Sequence, residues 1–341
     1  MKSLNLSQAF SLMMKTSPII LVRLGANLLF WFVAIIYFLI VGTVAYLIGN
    51  AVPILGFIVF IVAIAGMGGL YHLAYKYVFY MLKAAHIAVL SDLLKHGKLK
   101  SNEGQLGYGK QRVQERFGEM SAMFVVDELI SGVVRSFTRT VYRISRWIPG
   151  DNDAISTMVK ILNRVIWYST TYIDEAILAR SFYEETDDVW DNARDGVVLY
   201  GMKWKPILMN AIALMVISFI PFIVALVIFA LPVGLLISLI STKLAGWSII
   251  MLLLLSWLVK VAVGDSFAMT AILATYYRET KDLTPDPEMA SRLEGISDKF
   301  KDMTNRARSG MGFGDNANTN TPQTPDNDTP NTPTTAPQTP L

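Results

Sequence analysis

Four stretches of this chain are longer and more apolar than the core of a globular domain requires. They run from Pro18 to Ile48, from Ile54 to Leu70, from Pro206 to Ala230 and from Leu244 to Val259. Because about 20 helical residues cross the hydrocarbon of a bilayer, each stretch can span a membrane, the two shorter ones by extending into the interface. The sequence therefore predicts an all-α integral membrane protein with two helical hairpins, four spans in all.

The composition narrows the chemistry that such a chain can carry. Of 341 residues, 53% are hydrophobic and none is cysteine, which excludes disulfides, thiol nucleophiles and thiolate metal sites. The net charge of +3 is too small to indicate a nucleic-acid partner. No Ser/His/Asp, metal or cofactor arrangement is complete in the sequence. We therefore expect no enzymatic activity and no catalytic, cofactor or metal residues.

The distribution of lysine and arginine predicts how the hairpins are oriented. The turn at residues 49–53 has no basic residue, and the connection at 231–245 has only Lys243. Eight basic residues follow the second stretch: Lys76, Lys83, Lys95, Lys98, Lys100, Lys110, Arg112 and Arg116. Because cytoplasmic segments of membrane proteins are enriched in Lys and Arg, both termini and the centre of the chain are predicted to face the cytoplasm. The predicted location is the cell (inner) membrane.

A similar hexapeptide precedes each hairpin. Residues 14–19 read MKTSPI and residues 202–207 read MKWKPI, at a constant offset of 188 residues. A proline suits the first turn of a helix, so Pro18 and Pro206 are predicted to mark elbows where a surface helix bends into the bilayer. The same offset pairs His72 with Lys260, which favours a duplicated hairpin. The alternative is chance similarity between two apolar segments.

The region between the hairpins has strong helical periodicity. Hydrophobic residues fill one side of a helix over residues 123–147, and four arginines share the other side: Arg135, Arg139, Arg143 and Arg146. This arginine stripe predicts either a surface that binds anionic lipid or a solvated face within a helical bundle. Charges such as Asp127 favour a surface or re-entrant position for this helix, although charges sheltered inside a bundle leave a six-span arrangement open.

These patterns divide the chain into five regions. They are a first elbow helix and membrane hairpin (1–95), cytoplasmic or interfacial amphipathic helices (96–188), a second elbow helix and hairpin (189–283), an amphipathic helix (284–308) and a disordered Thr/Pro-rich tail (309–341). Within the second region, a further amphipathic helix is predicted over 155–182.

Four polar residues lie close to the apolar stretches: Arg23, Asn27, Lys260 and Asp265. Ionisable groups inside a membrane are functional candidates by default. If the fourth helix continues to Tyr276, Lys260 lies at mid-span, where it can pair with Asp265 or with another helix and mark a solute path. If the apolar part of the helix ends at Val259, Lys260 only reaches to the cytoplasmic interface, as His72 would at the equivalent position. Agreement with the repeat favours the second interpretation.

Three other patterns suggest chemistry but favour ordinary structure. Gly104–Lys110 matches a phosphate-binding loop, but Gln111 follows where Ser or Thr is required, so we expect a flexible connector. The acidic residues between 184 and 195 could collect a divalent cation, but a cap at Thr186 or Asp187 for the next helix is favoured. A helix face with His72, Lys76, Phe79, Lys83 and His86 is predicted to be a wet or headgroup-facing stripe.

A resemblance to one group of proteins rests on three strings. They are FYMLKAAHIAVLSDLLKHGK, GYGKQRVQERFGEM and WYSTTYIDEAILARSFYEETDDVWDNARDGVVLYGMKWKPIL. Over about residues 5 to 275, the layout resembles a family of uncharacterised prokaryotic multi-pass membrane proteins in which elbow helices precede apolar hairpins. That resemblance implies six spans with an apolar middle pair, from which the charged middle of this chain departs. It implies no reaction.

Two classes of function remain. The arginine stripe favours a non-enzymatic membrane scaffold or organiser whose partners are the lipid bilayer, anionic lipids in particular, and a second copy or another protein. The duplication, with Lys260 and Asp265, favours the alternative of a solute or lipid transporter. No nucleic-acid partner and no cofactor are expected in either case.

Overall fold

A computed structural model describes residues 6–99, 104–118, 120–145, 169–184, 188–240 and 245–309. Within these ranges, every regular element is a helix. The first seven helices are α1 (Leu6–Lys15), α2 (Ser17–Ala51), α3 (Pro53–Ala74), α4 (Tyr80–His96), α5 (Gln105–Phe117), α6 (Met120–Ser145) and α7 (169–183). The others are α8 (Val189–Met202), α9 (Trp204–Ile217), α10 (Ile220–Ile240), α11 (Ala245–Val259), α12 (Asp265–Thr280), α13 (Pro287–Ile296) and α14 (Asp298–Ser309).

Four helical segments are long and apolar enough to cross a membrane. They are Ser17–Ala51, Pro53–His96, Trp204–Leu239 and Ser248–Thr280. The predicted all-helical class and the four helices of spanning length are confirmed. The second and fourth segments are longer than the apolar pattern indicates, because a π-helical turn joins α3 to α4 at Tyr75–Phe79 and another joins α11 to α12 at Lys260–Gly264.

The long helices pack in two pairs whose outer surfaces are apolar. In the first pair, α2 and α3 run antiparallel: Tyr37 Oη donates to the Ala63 carbonyl at 3.1 Å, and a Cβ on Gly56 would lie 2.6 Å from the Ala45 carbonyl oxygen. The second pair is α10 and α11. Large apolar side chains are exposed along both pairs, among them Leu21, Leu29, Phe32, Phe57, Val227, Ile228 and Leu239. Apolar surface of this extent is typical of contact with lipid or protein rather than water.

The remaining helices share one buried core with the inner ends of the long helices. Side chains from six of them are fully buried: Ile87, Val113, Ile130, Ile177, Val197 and Ile272. Helix α5 approaches α4 closely, since a Cβ on Gly109 would collide with the Ala85 carbonyl oxygen. Helix α1 ends at Lys15 and helix α8 ends at Met202, so both elbows lie next to this core. Pro18 lies in the first turn of α2, as predicted.

Several local predictions need correction. Gly104–Lys110 is not a connector, because Gln105 begins helix α5. The cap of α8 is Asp188, whose carboxylate accepts the Trp190 N–H at 2.7 Å, whereas Thr186 and Asp187 lie outside the described residues. The amphipathic helix predicted over 284–308 is two helices, α13 and α14, which meet at Ser297.

The register of the repeat also differs from the prediction. The two π-helical turns begin at Tyr75 and Lys260, which are 185 residues apart. The interval between the two turns is therefore three residues shorter than the offset of 188 at which the sequence pairs His72 with Lys260, and the duplication itself stays a prediction.

The predicted arginine stripe is described only in part. Arg135 and Arg139 are exposed on α6, and Val133, Val134 and Phe137 on the same helix are buried. Arg143 belongs to α6, and Arg146 lies outside the described residues. Of the helix predicted over 155–182, residues 169–182 belong to α7 and the others fall outside the described ranges, as does the tail from residue 310.

Candidate functional site

A cavity of about 750 Å³ lies between the two pairs of long helices and α7. Its wall includes all four polar residues that the sequence singles out near the apolar stretches: Arg23, Asn27, Lys260 and Asp265. Seven aromatic residues line it as well: Tyr71, Tyr75, Phe79, Tyr80, Tyr172, Phe219 and Trp257. Two further charged residues, Lys83 and Glu175, complete its polar part. The structure therefore brings together residues that are up to 242 positions apart in the chain.

Lys260 and Asp265 form an ion pair on the second π-helical turn. The Lys260 ammonium lies 2.7 Å from Asp265 Oδ1, and the Tyr172 hydroxyl donates to the same oxygen at 2.7 Å. In a π-helical turn the backbone bond joins residues five apart, here Asp265 N–H to the Lys260 carbonyl, so both side chains leave on one side. The fourth spanning segment continues through Lys260 to Thr280, and the end of its apolar part at Val259 stays a prediction.

Two aromatic rings hold the Lys260 ammonium from the other side. It lies 4.9 Å from the centroid of Phe219 and 5.2 Å from that of Trp257. A cation close to the face of an aromatic ring is attracted by the negative charge density above the ring. The lysine is only 9% exposed, and its position is therefore fixed by partners within the wall of the cavity.

A second ion pair crosses from α4 to α7. Lys83 Nζ lies 3.0 Å from Glu175 Oε1, and Glu175 is 6% exposed. Burial, opposed by the attraction of Lys83, raises the pKa of the Glu175 carboxyl above its usual value. A charge so far from water requires a partner, so the pair fixes α7 against α4 beside the cavity.

Arg23 belongs to a hydrogen-bonded chain that ties the first elbow to three other helices. Its Nη1 donates to Ser266 Oγ at 2.9 Å and to His86 Nδ1 at 3.2 Å, while His86 Nε2 lies 3.0 Å from Thr16 Oγ1. Because Nδ1 accepts, Nε2 carries the ring hydrogen and donates to Thr16 at the elbow. The predicted wet stripe is wrong for His86, which is fully buried, whereas His72 and Lys76 are exposed.

The charges on the wall do not cancel. Lys83 and Lys260 each contact a carboxylate, but no carboxylate lies within hydrogen-bond distance of Arg23 among the residues that the structure covers. Both hydrogens of its Nη1 are used, and its Nε and Nη2 have no partner in those residues. The three basic and two acidic residues of the wall give it a net charge of +1, and Glu175 and Asp265 attract Arg23 only from beyond hydrogen-bond distance.

A buried acidic residue, Asp174, lies behind the cavity wall. It is 5% exposed and accepts hydrogen bonds from the Ser131 hydroxyl and from the Glu175 N–H. Burial, followed by repulsion from Asp127, raises the pKa of Asp174 well above its usual value, and Lys83 opposes the shift.

Within the described ranges, no group of three or more His, Cys, Asp or Glu side chains is placed to hold a metal ion.

The substitution Asp174→Asn is expected to reduce the pH dependence of the protein's stability. A carboxyl whose folded pKa is raised stabilises the fold fully below its unfolded pKa of about 4, and that stability is lost as the pH rises through the folded pKa. The wild type should therefore melt at lower temperature as the pH rises over this window, and the variant should lose less. Melting temperatures between about pH 4 and 8 measure this. Parallel curves for the two proteins would contradict it.

Comparisons with protein families, with curated proteins and with solved structures found no match to this chain. The functional assignment therefore rests on the cavity itself. Sequence reasoning found Arg23, Asn27, Lys260 and Asp265 because they are polar residues near apolar stretches. It missed Glu175 and Tyr172, whose helix gives no such signal, and it assigned Lys83 and His86 to a wet surface. Arg135 and Arg139 do not line the cavity.

Proposed function

We propose that this chain is a multi-pass membrane protein whose two helix pairs cross the bilayer as hairpins, with both termini and the helices between them in the cytoplasm. The exposed apolar side chains along α2, α3 and α10 support insertion, since water would not tolerate such a surface. The excess of lysine and arginine after α3 supports the orientation.

We propose further that the protein is a transporter that binds a solute or a lipid in the cavity between the two pairs. The observation that carries this proposal is the convergence of Arg23, Asn27, Lys260 and Asp265 on one cavity. Ligand sites of secondary transporters commonly lie between two related helix bundles, at broken or irregular helices. Here the Lys260–Gly264 turn provides such an irregular helix, and Tyr75–Phe79 provides its counterpart.

The double substitution Lys260→Leu and Asp265→Leu tests this function. It removes the ion pair together with the bond from Tyr172, and it leaves an apolar wall of similar volume. The assay is the movement of a fluorescent phosphatidylglycerol between the leaflets of proteoliposomes, and of fluorescent carboxylate solutes out of them. We expect the wild type to accelerate one of these, and the variant to lose about tenfold or more of that rate while it remains folded.

The control for this experiment addresses the second candidate function, a membrane scaffold. The exposure of Arg135 and Arg139 supports a surface that contacts anionic headgroups. Arg→Gln changes at positions 135, 139, 143 and 146 should leave flux intact if the cavity carries the function. Unchanged flux in the Lys260 and Asp265 variant, combined with mislocalisation of the arginine variant in cells, would favour the scaffold over the transporter.

A further inference from the structure

We infer that the ligand of the cavity is an amphipathic anion from the membrane, with a carboxylate or phosphate that binds Arg23 and an apolar chain that lies along the aromatic wall. This inference rests on the proposed function, because it names the substrate class of the same cavity. Three properties of the wall carry it: its charge, its aromatic lining and the position of its opening.

The charge of the wall selects for an anion. Lys83 and Lys260 already have carboxylate partners at 3.0 and 2.7 Å, whereas the side chain of Arg23 hydrogen-bonds, among the described residues, only to the neutral His86 and Ser266, and Glu175 and Asp265 attract it from farther away. A guanidinium binds carboxylate or phosphate through two parallel N–H groups, and Nε and Nη2 of Arg23 are the edge that has no partner in the described part of the chain. A cationic ligand would place like charge against Arg23 and Lys260.

The aromatic lining provides for an apolar body. Seven of the 17 lining residues are aromatic, and Leu82, Met215 and Val261 add aliphatic surface. The volume of about 750 Å³ is far larger than an inorganic anion requires and lies within the usual range of about 300–1,000 Å³ for small-molecule sites. A small, fully hydrated anion would leave most of this wall in contact with water.

The opening lies near the C-terminal end of α3, where polar residues begin to interrupt its exposed apolar surface. Tyr71 and Tyr75 line the cavity and are 48% and 47% exposed, so they form part of its mouth. The residues before them along α3 are apolar and exposed, while His72 and Lys76 beside them are polar. Tyrosine and basic residues in this position are typical of the headgroup level of a bilayer. An amphipathic anion in the membrane would present its acidic group at this depth.

Photolabelling in nanodiscs tests the inference with two matched probes. One is a fatty acid with a diazirine on its chain, and the other is the corresponding fatty alcohol. The measurement is the labelled fraction of the peptides that contain Tyr75 and Trp257, relative to peptides from the outer surface of α3. We expect the acid to label the cavity peptides about tenfold to a hundredfold more than the alcohol, as for loss of a charged hydrogen bond.

Substitutions locate the preference at Arg23. In Arg23→Gln, labelling by the acid should fall to the level of the alcohol, which itself should not change. Arg23→Lys keeps the charge but loses the two-pronged geometry, and its acid preference should be intermediate. Arg292→Gln, which removes an exposed arginine of α13, is the matched control and should leave the ratio unchanged. Melting temperatures establish that each variant is folded.

Each outcome has a definite meaning. Equal labelling of the wild-type cavity by acid and alcohol would overturn the inference and leave the cavity as a ligand site. A second outcome is that neither probe is enriched in the cavity and that the cavity-filling variant Met215→Trp leaves the rate measured in proteoliposomes unchanged. This outcome would overturn the inference and count against the proposed function too. Displacement of the acid by millimolar inorganic phosphate would assign Arg23 to a water-soluble anion, which also overturns it.

Discussion

Replacing Gly264 with alanine is expected to destabilise the protein by about 3 kcal/mol, because the added Cβ has no space. A Cβ at this position would collide with the carbonyl oxygen of Ser218 and approach the Ser218 carbonyl carbon within 3.1 Å. Ser218 lies at the break between α9 and α10, so the obstacle is backbone and cannot rotate away. The expected result is a large fall in melting temperature in detergent.

The same change should disturb the cavity, because the contact sets the spacing of its wall. Gly264 ends the π-helical turn that begins at Lys260, and Phe219, which contacts the Lys260 ammonium, follows Ser218 directly. Gly68→Ala is the matched control, since nothing lies within 4 Å of a Cβ there and alanine favours a helix by about 1 kcal/mol. If Gly264→Ala melts with Gly68→Ala rather than far below it, the close approach is not essential.

The four helices of spanning length could be predicted from the sequence because membrane insertion depends on the summed apolar character of a segment. Over about 20 residues the apolar contributions accumulate, and no single residue decides the result. The C-terminal parts of the second and fourth spanning segments, Pro53–His96 and Ser248–Thr280, could not be predicted in this way. These parts stay helical because residues such as Ile87 and Ile272 pack into the buried core. The number of apolar residues alone does not distinguish a helix that enters this core from a loop.

Only some members of the site were predictable, and the geometry that pairs them was not. Lys260 and Asp265 are five positions apart, which on a regular α-helix separates them widely around the axis, and only a π-helical turn brings them together. Glu175 and Lys83 are 92 positions apart, so their contact depends on how α7 docks against α4. Helical periodicity identifies faces, whereas pairing across helices depends on tertiary packing.

Replacing Lys83 with methionine is expected to cost about 3 to 5 kcal/mol of stability, because it breaks a buried ion pair and leaves its acid behind. Glu175 is 6% exposed, and Asp174 and Asp127 lie close to it. Without Lys83, these carboxylates repel one another, and the attraction of the more distant Arg23 for Glu175 does not replace the broken ion pair. The variant should unfold at lower temperature or denaturant concentration than the wild type, and most steeply at alkaline pH, where Glu175 is charged.

A second substitution distinguishes loss of charge balance from loss of packing. Adding Glu175→Gln to Lys83→Met removes the stranded charge and should restore most of the lost stability, since neutral replacement of both partners is often tolerated. Arg292→Met, which breaks the exposed pair with Glu288, should change stability by less than about 1 kcal/mol. A double variant as unstable as Lys83→Met alone would show that the side chain of Lys83 stabilises the cavity wall through its packing, since charge balance would then have no measurable effect.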